Sequence, residues 1–290
     1  MTDTLVYMCY GKPRYREETM FSILSAYHWI EKSKNIDIIV YTDVPSDFAW
    51  LNVSTRMIDQ DLLDRWMGNG TYPFRRKVAC LADILKSEGG KCVFADGDTY
   101  FRYDPSHLFD RVSPGHTCLH MREIRLTSRE NTAGAILGGL FLRSEVRDLR
   151  GAPVSLNAGE GMWNSGIIGI DAHDSSLLDE ALHLMDEIWF REQRVHTVEQ
   201  FALGHVMGTE GKLCEADDIV FHYWKDALRG PFLKRLPDIL SRARTMPLDA
   251  AAHWSYDFRP LPSIRARWIG HVRNMAHRLG VDQRWTRTSV

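Results

Sequence analysis

Apolar residues along the chain form short continuous runs and longer segments with helical spacing. In the first half these two patterns alternate, and turn-forming residues such as Gly89-Gly90 separate them. The strand-like runs are residues 5–10, 36–42, 52–58 and 92–95, and the helix-like segments are residues 17–32 and 74–87. Strands that alternate with helices pack as a parallel sheet between two helical layers. The pattern therefore predicts a Rossmann-like α/β fold with a mixed, mostly parallel sheet.

The second half of the chain is less regular. Its strand-like segments are residues 163–171 and 218–224, and its helix-like segments are residues 175–191 and 198–206. Residues 122–160 mix charges with glycine-rich stretches, and we expect loops and short helices there. We expect one α/β domain over residues 1–257, followed by a separate segment over residues 258–290.

Polar residues stand where the predicted strands end. Tyr10, Asp43 and Asp96 each occupy the carboxyl end of one strand-like run. Ligands bind at this edge in open α/β sheets, so we expect the three side chains to lie near one site.

The segment that follows residues 92–95 contains two carboxylates, Asp96 and Asp98, on either side of Gly97. Side chains two residues apart in an extended backbone face the same way, and two buried carboxylates that face each other repel. A divalent cation removes this repulsion, and hard oxygen ligands suit Mn²⁺ or Mg²⁺ held jointly with a diphosphate. Gly97 lets the backbone and the phosphates approach closely. The alternative is a surface turn, for which Asp-Gly-Asp is also suited.

His222 ends another apolar stretch, where a neutral imidazole could complete a manganese site. Its alternative role is that of a hydrogen-bonded structural histidine. Together these motifs resemble those of GT-A fold glycosyltransferases, nearest to family 8, the glycogenin-like and lipooligosaccharide galactosyltransferase-like group. The motifs that carry the resemblance are Arg75-Arg76-Lys77 before the carboxylate strand, Asp96-Gly97-Asp98, residues 163–171, Glu199-Gln200 and His222.

The resemblance implies that residues 1–257 form a nucleotide-sugar-binding and catalytic domain, and it implies roles for individual residues. Metal binding falls to Asp96, Asp98 and His222, and binding of the nucleoside to Tyr10, Thr42 and Asp43. Arg75, Arg76 or Lys77 would neutralise phosphate charge, and Lys225 or Arg229 would replace the family's late phosphate-binding lysine. Asn164 would contact the donor sugar or help to place the acceptor, Gln200 would lie beneath the anomeric carbon, and Glu199 would hold a sugar hydroxyl.

The resemblance implies transfer of a hexose from a UDP-linked sugar to a glycan or lipid-linked saccharide in cell-surface polysaccharide synthesis. The residues leave the stereochemistry open: an inverting enzyme needs a carboxylate base, for which Glu199 is the first candidate and Glu160 the second. Two other functions also stay open. One is a haloacid-dehalogenase-like phosphatase with Asp96 as nucleophile, Asp98 as acid/base and Asp217-Asp218 as its late acidic pair. The other is a non-catalytic nucleotide-sugar-binding or glycan-binding protein.

Charge and cysteine content add the cellular context. The net charge of −2 conceals a basic C-terminal segment, in which residues 258–290 hold seven arginines and one acidic residue. Residues 264–279 have the spacing of a basic amphipathic helix, which predicts either contact with a membrane surface or packing on the core. Charge confined to one tail argues against nucleic acid as a partner.

Five scattered cysteines and the lack of a signal-like start favour a cytoplasmic protein, with any membrane contact peripheral and at the inner face.

Overall fold

A computed structural model describes residues 2–30, 35–125, 136–137, 140–141, 146–155, 161–192 and 195–261. Its centre is a seven-stranded sheet in the order β3-β2-β1-β4-β7-β6-β8, and β5 and β9 pair in a second, smaller sheet. The strands are β1 Asp3–Cys9, β2 Ile36–Thr42, β3 Ser54–Met57, β4 Lys91–Ala95, β5 Thr99–Phe101, β6 His116–Arg125, β7 Gly161–Asp171, β8 Lys212–Glu215 and β9 Val220–His222. Strand β7 runs antiparallel to β4 and β6, whereas the other described pairs of the large sheet are parallel.

Helices cover both faces of the large sheet. They are α1 Pro13–Trp29, α2 Gln60–Met67, α3 Arg75–Glu88, α4 Ser106–Arg111, α5 Ser176–Arg191, α6 Val198–Glu210, α7 Asp226–Leu233, α8 Leu236–Ala243 and α9 Leu248–Tyr256. Apolar side chains of α3, α5 and α6 form one core, and those of α1, α8 and α9 form the other. The expected mixed α/β fold with a mostly parallel, Rossmann-like sheet is confirmed.

Strand β1 shows why the sheet needs both layers. Val6 packs into the core beneath α3, whereas Leu5 and Tyr7 pack into the core beneath α1. All three are fully buried. Successive side chains of a strand point to opposite faces, so a continuous apolar run becomes stable only when each face is covered.

The observed boundaries of several strands and loops differ from the predicted ones. The loop expected from residue 122 is wrong as far as residue 125, because β6 continues to Arg125 and pairs with β7 across two irregularities in register. The strand expected over residues 218–224 is limited to Val220–His222 and pairs with β5 outside the large sheet. Residues 126–135 and 156–160, which include the candidate base Glu160, lie outside the described residues.

Within the described part of the chain, no helix is both long and apolar enough to cross a bilayer. The amphipathic segment predicted at residues 264–279 lies outside the described residues, as does most of the proposed C-terminal segment.

Candidate metal centre

A cavity of about 690 Å³ opens beside the carboxyl ends of β1 and β4. Its volume is within the usual range for sites that hold small molecules. The residues from the sequence prediction that line it are Tyr10, Lys77, Asp96, Gly97, Asp98, Asn164, Glu199, Gln200, His222 and Arg229. The edge of the sheet at which the sequence places a site is therefore also the edge that is hollow.

Asp96, Asp98 and His222 come together in this cavity, with one candidate ligand atom of each within 4.8 Å of the others. Backbone pairing brings them there. The Asp96 N–H donates to the carbonyl of Gly166 on β7 at 2.9 Å. In the small sheet Thr99 pairs with His222, which places the histidine beside the turn that carries Asp98. Two carboxylates and an imidazole are a donor set that suits a manganese-like cation, so these residues fit a bound metal.

Asp98 is held between two positively polarised groups. Its Oδ1 lies 3.1 Å from Nε2 of His222, and its Oδ2 lies 2.8 Å from Nη1 of Arg229. Burial by itself would raise the pKa of Asp98, but His222 and Arg229 outweigh burial and lower that pKa below its ordinary range. Asp98 is consequently a carboxylate at neutral pH, as a metal ligand must be.

The side-chain amide of Asn164 orients the ring of His222 through the nitrogen that faces away from Asp98. Its Nδ1 lies 2.8 Å from Oδ1 of Asn164, and that oxygen also accepts the Gly166 N–H at 2.9 Å. Asn164 Nδ2 donates to Oε1 of Glu123 at 3.0 Å, which settles which end of the amide carries the oxygen. His222 must therefore donate from Nδ1, which leaves Nε2 as the nitrogen that faces Asp98 and that would bind a metal ion.

A network of hydrogen bonds runs from Asp96 into the protein interior. Lys77 Nζ lies 2.8 Å from Asp96 Oδ2 and donates to the Ser165 carbonyl at 3.1 Å. The Ser165 hydroxyl donates to Oε1 of Glu199 at 3.2 Å, and the Tyr72 hydroxyl is hydrogen-bonded to Oε2. Both carboxylate oxygens of Glu199 therefore have protein partners, and only 4% of this residue is exposed. Burial raises the pKa of Glu199, and Lys77 opposes that rise.

The side chains of Arg75, Arg76 and Lys77, at the start of α3, point to three different places. Lys77 faces the cavity. Arg76 Nη1 donates to the Tyr10 hydroxyl at 3.0 Å and so supports a residue that lines the cavity. Arg75 points the other way, because its guanidinium donates to both oxygens of Asp186 on α5 at 2.8 and 3.0 Å.

Three other candidates lie beside the cavity instead of in its described lining. Thr42 is fully buried, and its hydroxyl accepts the Val44 N–H at 3.3 Å. Asp43 accepts the Gly11 N–H at 2.8 Å and therefore shapes the loop that follows β1. Lys225 places its ammonium 5.5 Å from the centre of the neighbouring Trp224 ring.

Some lining residues were not found by sequence reasoning. Glu18 of α1 and Glu123 of β6 are acids of the cavity wall, and Ser165 joins Lys77 to Glu199. One signal for Glu18 was available. The first turns of a helix that follows a strand lie near that strand's carboxyl end, where an acidic residue meets the site.

No protein-family model matches the sequence, and no curated protein sequence matches it significantly.

Proposed function

We propose that this chain is a metal-dependent glycosyltransferase of the GT-A type. It would transfer a hexose from a nucleotide-sugar, with UDP as the favoured nucleotide, to a saccharide or lipid-linked saccharide in cell-surface polysaccharide synthesis. The supporting observation is the grouping of Asp96, Asp98 and His222 in a cavity of about 690 Å³ at the carboxyl edge of the sheet. Ligands of α/β folds bind at that edge.

The three ligands would hold Mn²⁺ or Mg²⁺. A divalent cation bound there would neutralise the charge that grows on the oxygens of a departing diphosphate. The protein's own contribution is to keep the ligands charged and oriented: Arg229 and His222 keep Asp98 ionised, and Asn164 fixes the ring of His222. Such preorganised groups stabilise the transition state more than the ground state, because the leaving group carries more charge in the transition state.

Two cationic side chains of the lining would act on the same diphosphate. Lys77 of α3 lies 2.8 Å from Asp96, and Arg229 of α7 lies 2.8 Å from Asp98. Once the carboxylates are shared with a metal ion, these cations can also face phosphate oxygens. Charge-assisted hydrogen bonds of this kind are about twice as strong as neutral ones.

The sugar and the acceptor would occupy the part of the cavity lined by Asn164 and Gln200. Glu199 supports this wall from within, since both of its oxygens already bind Ser165 and Tyr72. We therefore assign Glu199 to positioning and not to proton transfer. The proton of the acceptor hydroxyl would pass to a phosphate oxygen in a retaining transfer, or to Glu123 of the cavity wall in an inverting one.

The phosphatase alternative has less support. It requires a late acidic pair at the site, but Asp218 forms a two-point ion pair with Arg111 at 2.7 and 2.6 Å. In the described lining of the cavity, neither Asp217 nor Asp218 takes part. Moreover, β4 is the fourth strand along the chain, whereas the nucleophile of such phosphatases usually follows the first strand.

The decisive experiment is calorimetry of UDP with and without Mn²⁺, on the wild type and on an Asp96→Asn/Asp98→Asn double variant. We expect the wild type to bind UDP only when Mn²⁺ is present and the double variant to lose this binding. Asp218→Asn is the matched control, because it also removes a paired carboxylate but from outside the cavity, and it should bind UDP as the wild type does.

A screen of nucleotide-sugars by thermal shift, followed by measurement of UDP release, then identifies the donor. Unchanged UDP affinity in the double variant would remove the metal claim. Hydrolysis of an aryl phosphate that depends on Asp96 would identify a phosphatase instead. Tight UDP binding with neither hydrolysis nor transfer would identify a binding protein.

A further inference from the structure

Arg229 connects two acids that come from distant parts of the chain. Its Nε and Nη2 bind the two oxygens of Glu18 at 2.8 and 2.7 Å, and its Nη1 binds Asp98 Oδ2 at 2.8 Å. The guanidinium is a rigid fork, so the pair of bonds to Glu18 sets the direction in which Nη1 points. One nitrogen of three therefore faces the metal centre while the other two hold the side chain in place.

Glu18 is committed to this task. Only 1% of it is exposed, although it stands on the wall of the cavity. A carboxylate in such a position is costly unless it is paired, and Arg229 donates one hydrogen bond to each of its oxygens. With both oxygens used in this way, Glu18 acts through Arg229.

We propose that Glu18 is a positioning residue that holds Arg229 as an exchangeable counter-cation of the metal centre. Without a metal ion, Arg229 Nη1 neutralises Asp98; when a divalent cation takes Asp98, the same nitrogen turns to the diphosphate of the donor while Glu18 keeps the other two. This inference rests on the proposed function, because it assigns the diphosphate as the second partner of Arg229.

The arrangement has opposite consequences for the two ligands. A divalent cation that binds alone competes with Arg229 for the negative charge of Asp98, so Arg229 weakens its binding. A diphosphate that binds with the cation gives Arg229 a new anionic partner, so Arg229 strengthens its binding. Arg229 thus links the two events, and the site favours the metal–diphosphate pair over the metal alone.

Arg229→Met tests both consequences by titration calorimetry. We expect Mn²⁺ alone to bind the variant about tenfold more tightly than the wild type, and UDP with saturating Mn²⁺ to bind about tenfold more weakly, as the loss of one charge-assisted bond predicts. A merely structural arginine would weaken both binding events when removed. A change of the same sign in both titrations, or no change in either, would overturn the inference.

Arg229→Lys and a double variant keep the inference testable if Arg229→Met folds poorly. The lysine keeps the charge but cannot bond to Glu18 and Asp98 at once, so it should recover only part of the UDP affinity. Glu18→Gln alone should lower UDP affinity several-fold. In Glu18→Gln/Arg229→Met the affinity should stay within about twofold of Arg229→Met, since Glu18 acts through the arginine. An additional loss in the double variant would show an independent role for Glu18 and contradict the proposal.

Arg111→Met is the matched control. It also removes an arginine that binds one carboxylate through two nitrogens, but its partner Asp218 is outside the described lining of the cavity. Neither titration should change. The outcomes also separate this inference from the proposed function. If the wild type binds no UDP, both are wrong. If the wild type binds UDP with Mn²⁺ but Arg229→Met does not shift the two affinities in opposite directions, only the inference is wrong.

Discussion

The ring of His222 occupies the space that a β-carbon on Gly166 would fill. A β-carbon built there would overlap Nδ1 of the ring and lie 3.0 Å from Oδ1 of Asn164. Gly166 stands on β7, whereas His222 stands on β9 of the small sheet. The missing side chain therefore lets a residue of one sheet reach a site at the edge of the other.

Gly166→Ala should accordingly displace His222, the proposed histidine ligand of the metal ion. The added methyl would push the imidazole away from Asp98, and we expect Mn²⁺ affinity to fall by about tenfold or more. Overpacking should also lower the free energy of unfolding by about 1–3 kcal/mol. Calorimetry of Mn²⁺ binding and urea unfolding measure the two effects.

Gly169→Ala on the same strand separates these effects. Its β-carbon would meet Val112 Cγ2 at 2.8 Å and Cys118 Cβ at 3.1 Å, so it overpacks an apolar contact. It should lose stability by a similar amount and keep the Mn²⁺ affinity of the wild type. Equal losses of Mn²⁺ affinity in the two variants would mean that general strain, and not displacement of His222, is responsible.

Asn164→Ala tests the orientation of the same ring. Without the amide oxygen, the His222 Nδ1 and the Gly166 N–H both lose their acceptor, and the ring is free to rotate. Groups that orient a metal-binding histidine are typically worth about 10- to 100-fold in metal affinity, and we expect a loss in that range for Mn²⁺.

Glu123→Gln provides the comparison for Asn164→Ala. The glutamine oxygen can still accept the hydrogen bond from Asn164 Nδ2, so the amide should keep its orientation. We expect its Mn²⁺ affinity to stay within about twofold of the wild type. If Asn164→Ala retained full affinity as well, His222 would be oriented by other contacts or would not be a ligand.

The grouping of Asp96, Asp98 and His222 could be predicted from the sequence because its signals are local. Asp96 and Asp98 directly follow an apolar strand, and His222 ends another. The triplet Arg75-Arg76-Lys77 could not be resolved in the same way. Successive residues of a helix point about 100° apart, and only the packing of α3 against the sheet decides which one faces the cavity.

The acids of the wall were missed for the opposite reason. Glu18 and its partner Arg229 are 211 residues apart, and Asn164 and Glu123 are 41 residues apart. The position of Glu18 early in α1 was a signal for the residue itself, but neither pairing has a sequence pattern, since each depends on which elements the fold brings together. The small sheet was missed because β5 has three residues, too few to show a period, although a strand was expected around β9.

Substitution of the basic triplet should give distinct results. Lys77→Met removes a buried cation that faces the cavity, and we expect UDP affinity in the presence of Mn²⁺ to fall by about tenfold. Arg75→Met removes an ion pair with Asp186 outside the described lining and should cost about 1 kcal/mol of stability with no change in UDP affinity. Calorimetry and urea unfolding distinguish the two. Loss of UDP affinity in Arg75→Met would contradict this division.

Glu199 offers a prediction about pH. The Tyr72 hydroxyl accepts the Glu199 N–H at 3.1 Å, and both the His196 carbonyl, at 2.9 Å, and Glu199 Oε2 lie within hydrogen-bonding reach of it. A hydroxyl has one hydrogen and can satisfy only one of these two acceptors. A protonated Glu199 would donate to Tyr72 and leave the tyrosine hydrogen for His196, which agrees with the pKa of Glu199 being raised by burial.

A carboxyl whose pKa is higher in the folded than in the unfolded state destabilises the fold once it must ionise. The contribution of Glu199 to the free energy of unfolding should therefore be highest below the ordinary glutamate pKa and fall as the pH rises through the raised value. Glu199→Gln keeps the donor and the acceptor but cannot ionise. Urea unfolding should thus show equal stability at low pH and a more stable variant at neutral pH. The difference between the proteins cancels the similar contribution of Glu18, whose pKa burial also raises.

The same variant decides what Glu199 does for transfer. A positioning residue replaced by its neutral isostere should leave kcat within about tenfold of the wild type, whereas loss of a general base costs about 10²- to 10⁴-fold. The bonds to Ser165 and Tyr72 survive in Glu199→Gln, so Lys77 and Asp96 should keep their places. We therefore expect a more stable and still active protein. A variant that is well folded, binds UDP with Mn²⁺ normally and has lost transfer would return Glu199 to the proton-transfer step.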